Sequence, residues 1–205
     1  IADECSKSKS LLHYHFDTKE DLLLEFLDRL ISEYERQMNA HADRAPQERL
    51  AAFICWFVFG TDESDRAALH IALLELRSQG QYNDRIREQL LRSDKLLRGT
   101  AAEIIKAGIK AGAFQPVDPE ETAAMLVATL DGARTRQITL GSDDDSKLTS
   151  TYTYTVTETV FRRIFAPLLT EGTELPSLKA TLEALPERTG GNPARSDASN
   201  ASGAD

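Results

Sequence analysis

The 205-residue sequence is short of the features that assign a chemistry at once. Its two cysteines, Cys5 and Cys55, stand at no spacing suited to a metal clasp or a disulfide framework. Buried or idle thiols in a reducing cytoplasm are therefore expected. No apolar run approaches the ~18 to 20 residues that cross a bilayer, and no secretory leader is visible, so a membrane is not among the expected partners. His13, His15, His41 and His70 are scattered. With no Ser/His/Asp set, glycine-rich phosphate loop or carboxylate dyad, no catalytic residue and no cofactor are expected. His13 and His15 lack a third ligand nearby, so no metal site is expected either. The net charge of −9 opposes a whole-surface attraction to nucleic acid but leaves room for a local basic patch.

Helical periodicity is abundant, whereas strand-like alternation is rare. A helix is expected from about Thr18 to Ala42, opened by a capping box in Thr18-Lys19-Glu20-Asp21. Leu22, Leu23, Phe26, Leu27, Leu30 and Ile31 give it one apolar stripe. Pro46 suits the first turn of the next helix, which runs to Gly60. Further helices are expected from Asp62 to Ser78, Asn83 to Ala111 and Pro119 to Leu140, each followed by a glycine. Within the last, Asp131 and Arg134 are spaced for an ordinary i, i+3 ion pair, with a ligand clamp as the less favoured alternative. The Ser142–Ser146 loop, with three aspartates, is expected to be solvated.

TSTYTYTVTETV, residues 149–160, alternates like a strand. Leu148, Tyr152, Val156, Val160 and Ile164 also align at i, i+4, and a lone strand has no partner, so a helix is expected there. The fold class is accordingly all-α. Residues 186–205 lack apolar side chains and are expected to form a disordered tail. The chain starts at Ile1 inside an apparent helix and is expected to lack its true N-terminus.

The stretch SKSKSLLHYHFDTKEDLL, residues 6–23, carries the functional reading. Ser8 suits the cap of a short helix from Lys9 to Phe16, whose first outward positions are Lys9, Ser10 and His13, with Leu12 and Phe16 facing inward. A recognition helix presents its N-terminal residues to base edges and phosphates in this way. Lys19, at the start of the following helix, is placed to meet a phosphate. Packed or solvated histidines and a solvated lysine face are the plainer alternative.

As an ordered set, the stretch resembles the end of the helix-turn-helix of the TetR family of transcriptional regulators. Residues 1–5 resemble the end of its second helix, Ser6-Lys7 the turn, Lys9 to His15 the recognition helix, and Leu22 onward the connecting helix. Ser6 stands where the family usually has glycine, and His13, with Tyr14 beside it, where it usually has tyrosine. The resemblance implies residues 1–23 as the remnant of a DNA-binding domain, with Lys7, Ser8, Lys9, Ser10, His13, Tyr14 and Lys19 contacting a double-stranded operator. Residues 24–185 would form a helical effector-binding and dimerisation domain.

A homodimer is implied, its interface expected at Leu126, Leu130, Tyr152, Val156, Val160 and Ile164, two helices per subunit joining as a four-helix bundle. Packing of both faces inside one subunit is the alternative. An effector of unknown identity is expected against Phe53, Trp56, Phe57, Leu74, Met125 and Thr129. An aromatic box for a cation and a pocket for an apolar molecule are both open. The expected function is a cytoplasmic, ligand-responsive repressor. Its rivals are a helical scaffold module that never touches DNA, and a helical enzyme or carrier demoted by the want of catalytic groups.

Overall fold

In the computed structural model, which describes residues 16, 18–39, 42–59, 63–140 and 146–185, secondary structure is helical with no strand. Seven α-helices follow one another among these residues: α1 Lys19–Asn39, α2 Pro46–Phe59, α3 Glu63–Gln79, α4 Asp84–Lys110, α5 Pro119–Leu140, α6 Ser146–Val160 and α7 Leu178–Glu183. No described helix is long and apolar enough to cross a membrane.

Local chemistry sets most of the boundaries. The Thr18 hydroxyl oxygen accepts from the Asp21 amide at 3.0 Å and donates to the Asp21 carboxylate at 2.6 Å, which satisfies an orphan N–H of the first turn of α1. Asn83 caps α4 by accepting from the Ile86 amide at 3.2 Å. Gly112 closes that helix at φ +74°, a left-handed angle that costs glycine little. The segment read as ambiguous is helical, and α6 runs into a π-helical turn at Phe161–Phe165 and a 3-10 turn at Ala166–Leu168. That path brings Phe161 and Phe165 together edge to face at 5.5 Å, with Phe165 likewise against Phe114 at 6.2 Å.

Helix α7 is an addition to the expected set. Its six residues are too few for periodicity to reveal, and Ser177, whose hydroxyl accepts from the Ala180 amide, is its chief local signal.

The apolar side chains form two cores. The larger gathers Tyr34 of α1, most of α2, the second half of α4, Phe114, the inner face of α5, the end of α6 and Leu178 of α7. The smaller joins Leu23, Leu24, Leu27 and Ile31 of α1 to Leu76 of α3 and Ile86 of α4, with Leu73 and Leu90 packed beside them. Burial of each such side chain contributes about 1.5 to 3 kcal/mol before chain entropy is counted. Ion pairs from Arg85 to Glu20 and Asp21, and from Arg92 to Asp28, run along the seam between α1 and α4.

Candidate functional site

Helix α5 places a charged residue where its period calls for an apolar one. Leu126 and Leu130 are fully buried, and Arg134 follows at the same four-residue step. Its guanidinium lies over the Phe57 ring of α2, 4.7 Å from the centroid, in a cation–π contact. Arg134 Nε is wholly buried and has no hydrogen-bond partner. Burial, only partly offset by Asp131 and worsened by Arg77, pushes the guanidinium down to about 10, still charged at neutral pH.

The expected ion pair within α5 gives way to a longer-range one. Asp131 takes two parallel hydrogen bonds from Arg77 of α3, at 2.7 and 2.9 Å. A carboxylate engaged in such a fork is committed to one partner. Arg77, Asp131 and Arg134, with buried His70, Leu73, Leu74, Thr135 and Ile138, line a cavity of about 10 Å³ between α3 and α5. That is room for about one water molecule, so the site is closed in this conformation.

Of the residues expected to hold an effector, Leu74 lines this cavity, while Phe57 lies beside it under the Arg134 guanidinium. Phe53 and Trp56 instead continue an aromatic row inside the subunit. Tyr34 meets Trp56 at 4.9 Å and Phe53 at 6.2 Å, and Phe53 stacks on Phe57 at 6.1 Å. Met125 is 51% exposed and turned away, and the Thr129 hydroxyl is spent on the Met125 carbonyl at 2.8 Å. Sequence reasoning ranked Arg134 as an ion-pair residue ahead of a ligand clamp, and it missed Arg77 as a cavity residue. The step from Leu126 through Leu130 to Arg134 was the available signal.

The residues expected at a dimer interface divide. Leu126, Leu130 and Val160 are buried in the subunit's own core, where the packing of α5 against α4 and α6 covers them. Tyr152 is 41% exposed, with Arg136 over its ring at 5.5 Å, while Val156 and Ile164 are partly buried. Thr153 and Thr157 of α6 are buried as well, and their hydroxyls donate to the Gln137 side chain and the Thr153 carbonyl.

Lys7, Ser8, Lys9, Ser10, His13 and Tyr14 lie outside the described residues, as do the side chain of Lys19, the aspartates of residues 143–145 and the 186–205 tail. Phe16, expected to end the recognition helix, is non-helical and lines a surface groove with Leu24, Asp21 and Arg85. Cys55 is fully buried, which pushes its thiol up to about 12 and leaves it unreactive at neutral pH.

A family model described as the C-terminal region of BetI-type transcriptional repressors matches residues 46–156, more than half of the chain. Among solved structures, a TetR transcription regulator from Haloarcula marismortui ATCC 43049 is 32% identical, with a TM-score of 0.64 over 82% of this chain and 85% of that one. A second similar structure is that of a regulator from Saccharomonospora viridis in complex with choline. It is 25% identical, with a TM-score of 0.62 over 80% of this chain and 83% of that one. No curated protein matches.

Proposed function

The chain belongs to the TetR family of transcriptional regulators, and from that premise we propose that it is a cytoplasmic, homodimeric, DNA-binding repressor released from its operator by a small molecule. The observation that carries the ligand-responsive part is the double duty of α3. One side of this helix sends Leu76 into the smaller core that also takes Leu23, Leu24, Leu27 and Ile31 of α1, with Leu73 at the border between core and cavity. Its other side supplies His70, Leu74 and Arg77 to the cavity shared with α5.

A molecule that enters the closed cavity has to part α3 from α5. Because α3 shares that core with α1, and both helices rest on α4, that displacement is passed to the helix directly following residues 6–16. The ion pairs between α1 and α4 keep the lever registered on its support while its end moves. Two recognition helices must meet major-groove faces roughly 34 Å apart, so a shift of a few ångströms breaks the fit. A differential affinity of ~1 to 3 kcal/mol suffices for the switch.

Lys7, Ser8, Lys9, Ser10, His13, Tyr14 and Lys19 are assigned the DNA contacts. The dimer interface is assigned to the outward faces of α5, α6 and the π-helical turn after it, with exposed Tyr152 and half-buried Val156 and Ile164 from the expected set and exposed Met125 added to them. Fluorescence anisotropy of the full-length protein against duplex from upstream of its own gene, at two salt concentrations, tests the DNA-binding part. Tight, salt-sensitive binding that is lost in Lys9→Ala and His13→Ala is expected. Binding no tighter than to random duplex would refute it.

A further inference from the structure

The cavity between α3 and α5 carries a charge imbalance. Asp131 is taken by both hydrogen bonds of the Arg77 fork, which leaves Arg134 without a carboxylate of its own. An unpaired guanidinium beneath protein costs stability unless something offsets it. Arg134 gains two partial offsets, the nearby charge of Asp131 and the face of Phe57, and its buried Nε still points a hydrogen at no acceptor.

The same geometry speaks against a cationic ligand. The aromatic face that a quaternary ammonium would seek on Phe57 is already covered by a protein cation, and a second cation beside Arg134 would meet like charge. The cavity also offers apolar wall at Leu73, Leu74 and Ile138, and a hydroxyl at Thr135.

We propose that the cavity between α3 and α5 takes a small monocarboxylate with a short apolar body, its carboxylate held by Arg134 and its body laid along Leu73, Leu74 and Ile138. The assignment rests on the ligand-responsive reading above and names the chemical class of its effector. A single free guanidinium edge suits one negative charge, and the apolar walls disfavour a fully hydrated anion such as inorganic phosphate. In this respect the chain would part from the similar regulator that was solved with choline.

Calorimetric titration of the full chain with hexanoate, hexan-1-ol, choline and inorganic phosphate tests the proposal, with hexanoate expected to bind saturably and the others not. Arg134→Met is expected to weaken hexanoate by roughly ten- to a hundredfold, the loss of one charge-assisted contact. Because this substitution removes an unpaired charge, the variant should melt no lower than the parent without ligand. Choline or phosphate binding in preference to hexanoate, unchanged hexanoate binding in Arg134→Met, or no saturable carboxylate binding would each overturn the proposal. Operator binding followed in the same samples separates the two readings. Choline releasing DNA would keep the ligand-responsive function and refute the carboxylate. Hexanoate bound through Arg134 with DNA affinity unmoved would keep the carboxylate site and refute the switch.

Discussion

Arg77 and Asp131, 54 residues apart in sequence, meet through two parallel hydrogen bonds of 2.7 and 2.9 Å and so tie α3 to α5. The pair lies partly in solvent, with the Arg77 side chain 44% exposed, and its energy is screened accordingly. A double-mutant cycle of Arg77→Ala and Asp131→Ala under urea denaturation should return a coupling of about 0.5 to 1 kcal/mol. A coupling of zero would remove the fork from any account of how the two helices hold together.

Arg134→Met should leave the ligand-free protein as stable as the parent or more stable by about 1 kcal/mol, since a half-buried charge whose Nε has no hydrogen-bond partner is replaced by a side chain of similar reach. Urea unfolding of both proteins reads this directly. A loss of more than that amount would mean that the Phe57 contact outweighs the cost of burial.

Gly108 is required by the turn after α4. The Ala113 and Phe114 amides both return to the Gly108 carbonyl, and the Phe114 ring lies where a side chain at 108 would begin. Gly108→Ala should therefore cost about 1 to 3 kcal/mol by overpacking, seen as a lowered melting temperature. Gly99→Ala, where nothing lies close to the added carbon, serves as the control and should be neutral or slightly stabilising.

At the start of α1, the hydrogen bond from the Thr18 hydroxyl, with help from Arg85, holds the Asp21 carboxyl below the ordinary 3.8. A depressed carboxylate stabilises the fold above its unfolded value and ceases to do so as pH falls through the lower folded value. Thr18→Ala should cost about 1 kcal/mol near neutral pH. The difference from the parent should shrink in acid, below pH 3.8, as Asp21 takes up its proton. A difference that stayed constant into acid would assign the whole effect to the backbone cap.

For the proposed dimer, Met125→Glu with Tyr152→Glu puts charge on two exposed positions, one on α5 and one on α6. Sedimentation velocity should show the pair of substitutions shifting the chain to monomer with its helical circular dichroism retained. A dimer that survived both would move the interface elsewhere.

Much of the architecture was legible from local rules. Asn83 and Gly112 bound α4 because a side-chain cap and a left-handed turn act within a few residues of the backbone they satisfy. Pro46 and Pro119 begin their helices because proline lacks an N–H that the first turn does not use. The apolar stripe of α1 reaches a core because its period of 3.6 puts Leu23, Leu27 and Ile31 on one side.

The choice of neighbour was decided only in three dimensions. Periodicity says which residues share a face of α5, and it cannot say that α4 and α6 cover Leu126 and Leu130 while Met125 is left outside. On α6 the alternation of Tyr and Thr permitted either pattern. Thr153 went inward where the Gln137 side chain accepts its hydroxyl, and the Thr157 hydroxyl is satisfied by the Thr153 carbonyl one turn back. The pairing of Asp131 was likewise open on its own helix, with Arg134 within reach at three residues. Packing brought Arg77 of α3 to the carboxylate in fork geometry and laid Arg134 on Phe57. Helices come from forces between chain neighbours, which the order of residues contains. The cavity and its unmatched charge come from which helix lies against which, and that only the folded chain supplies.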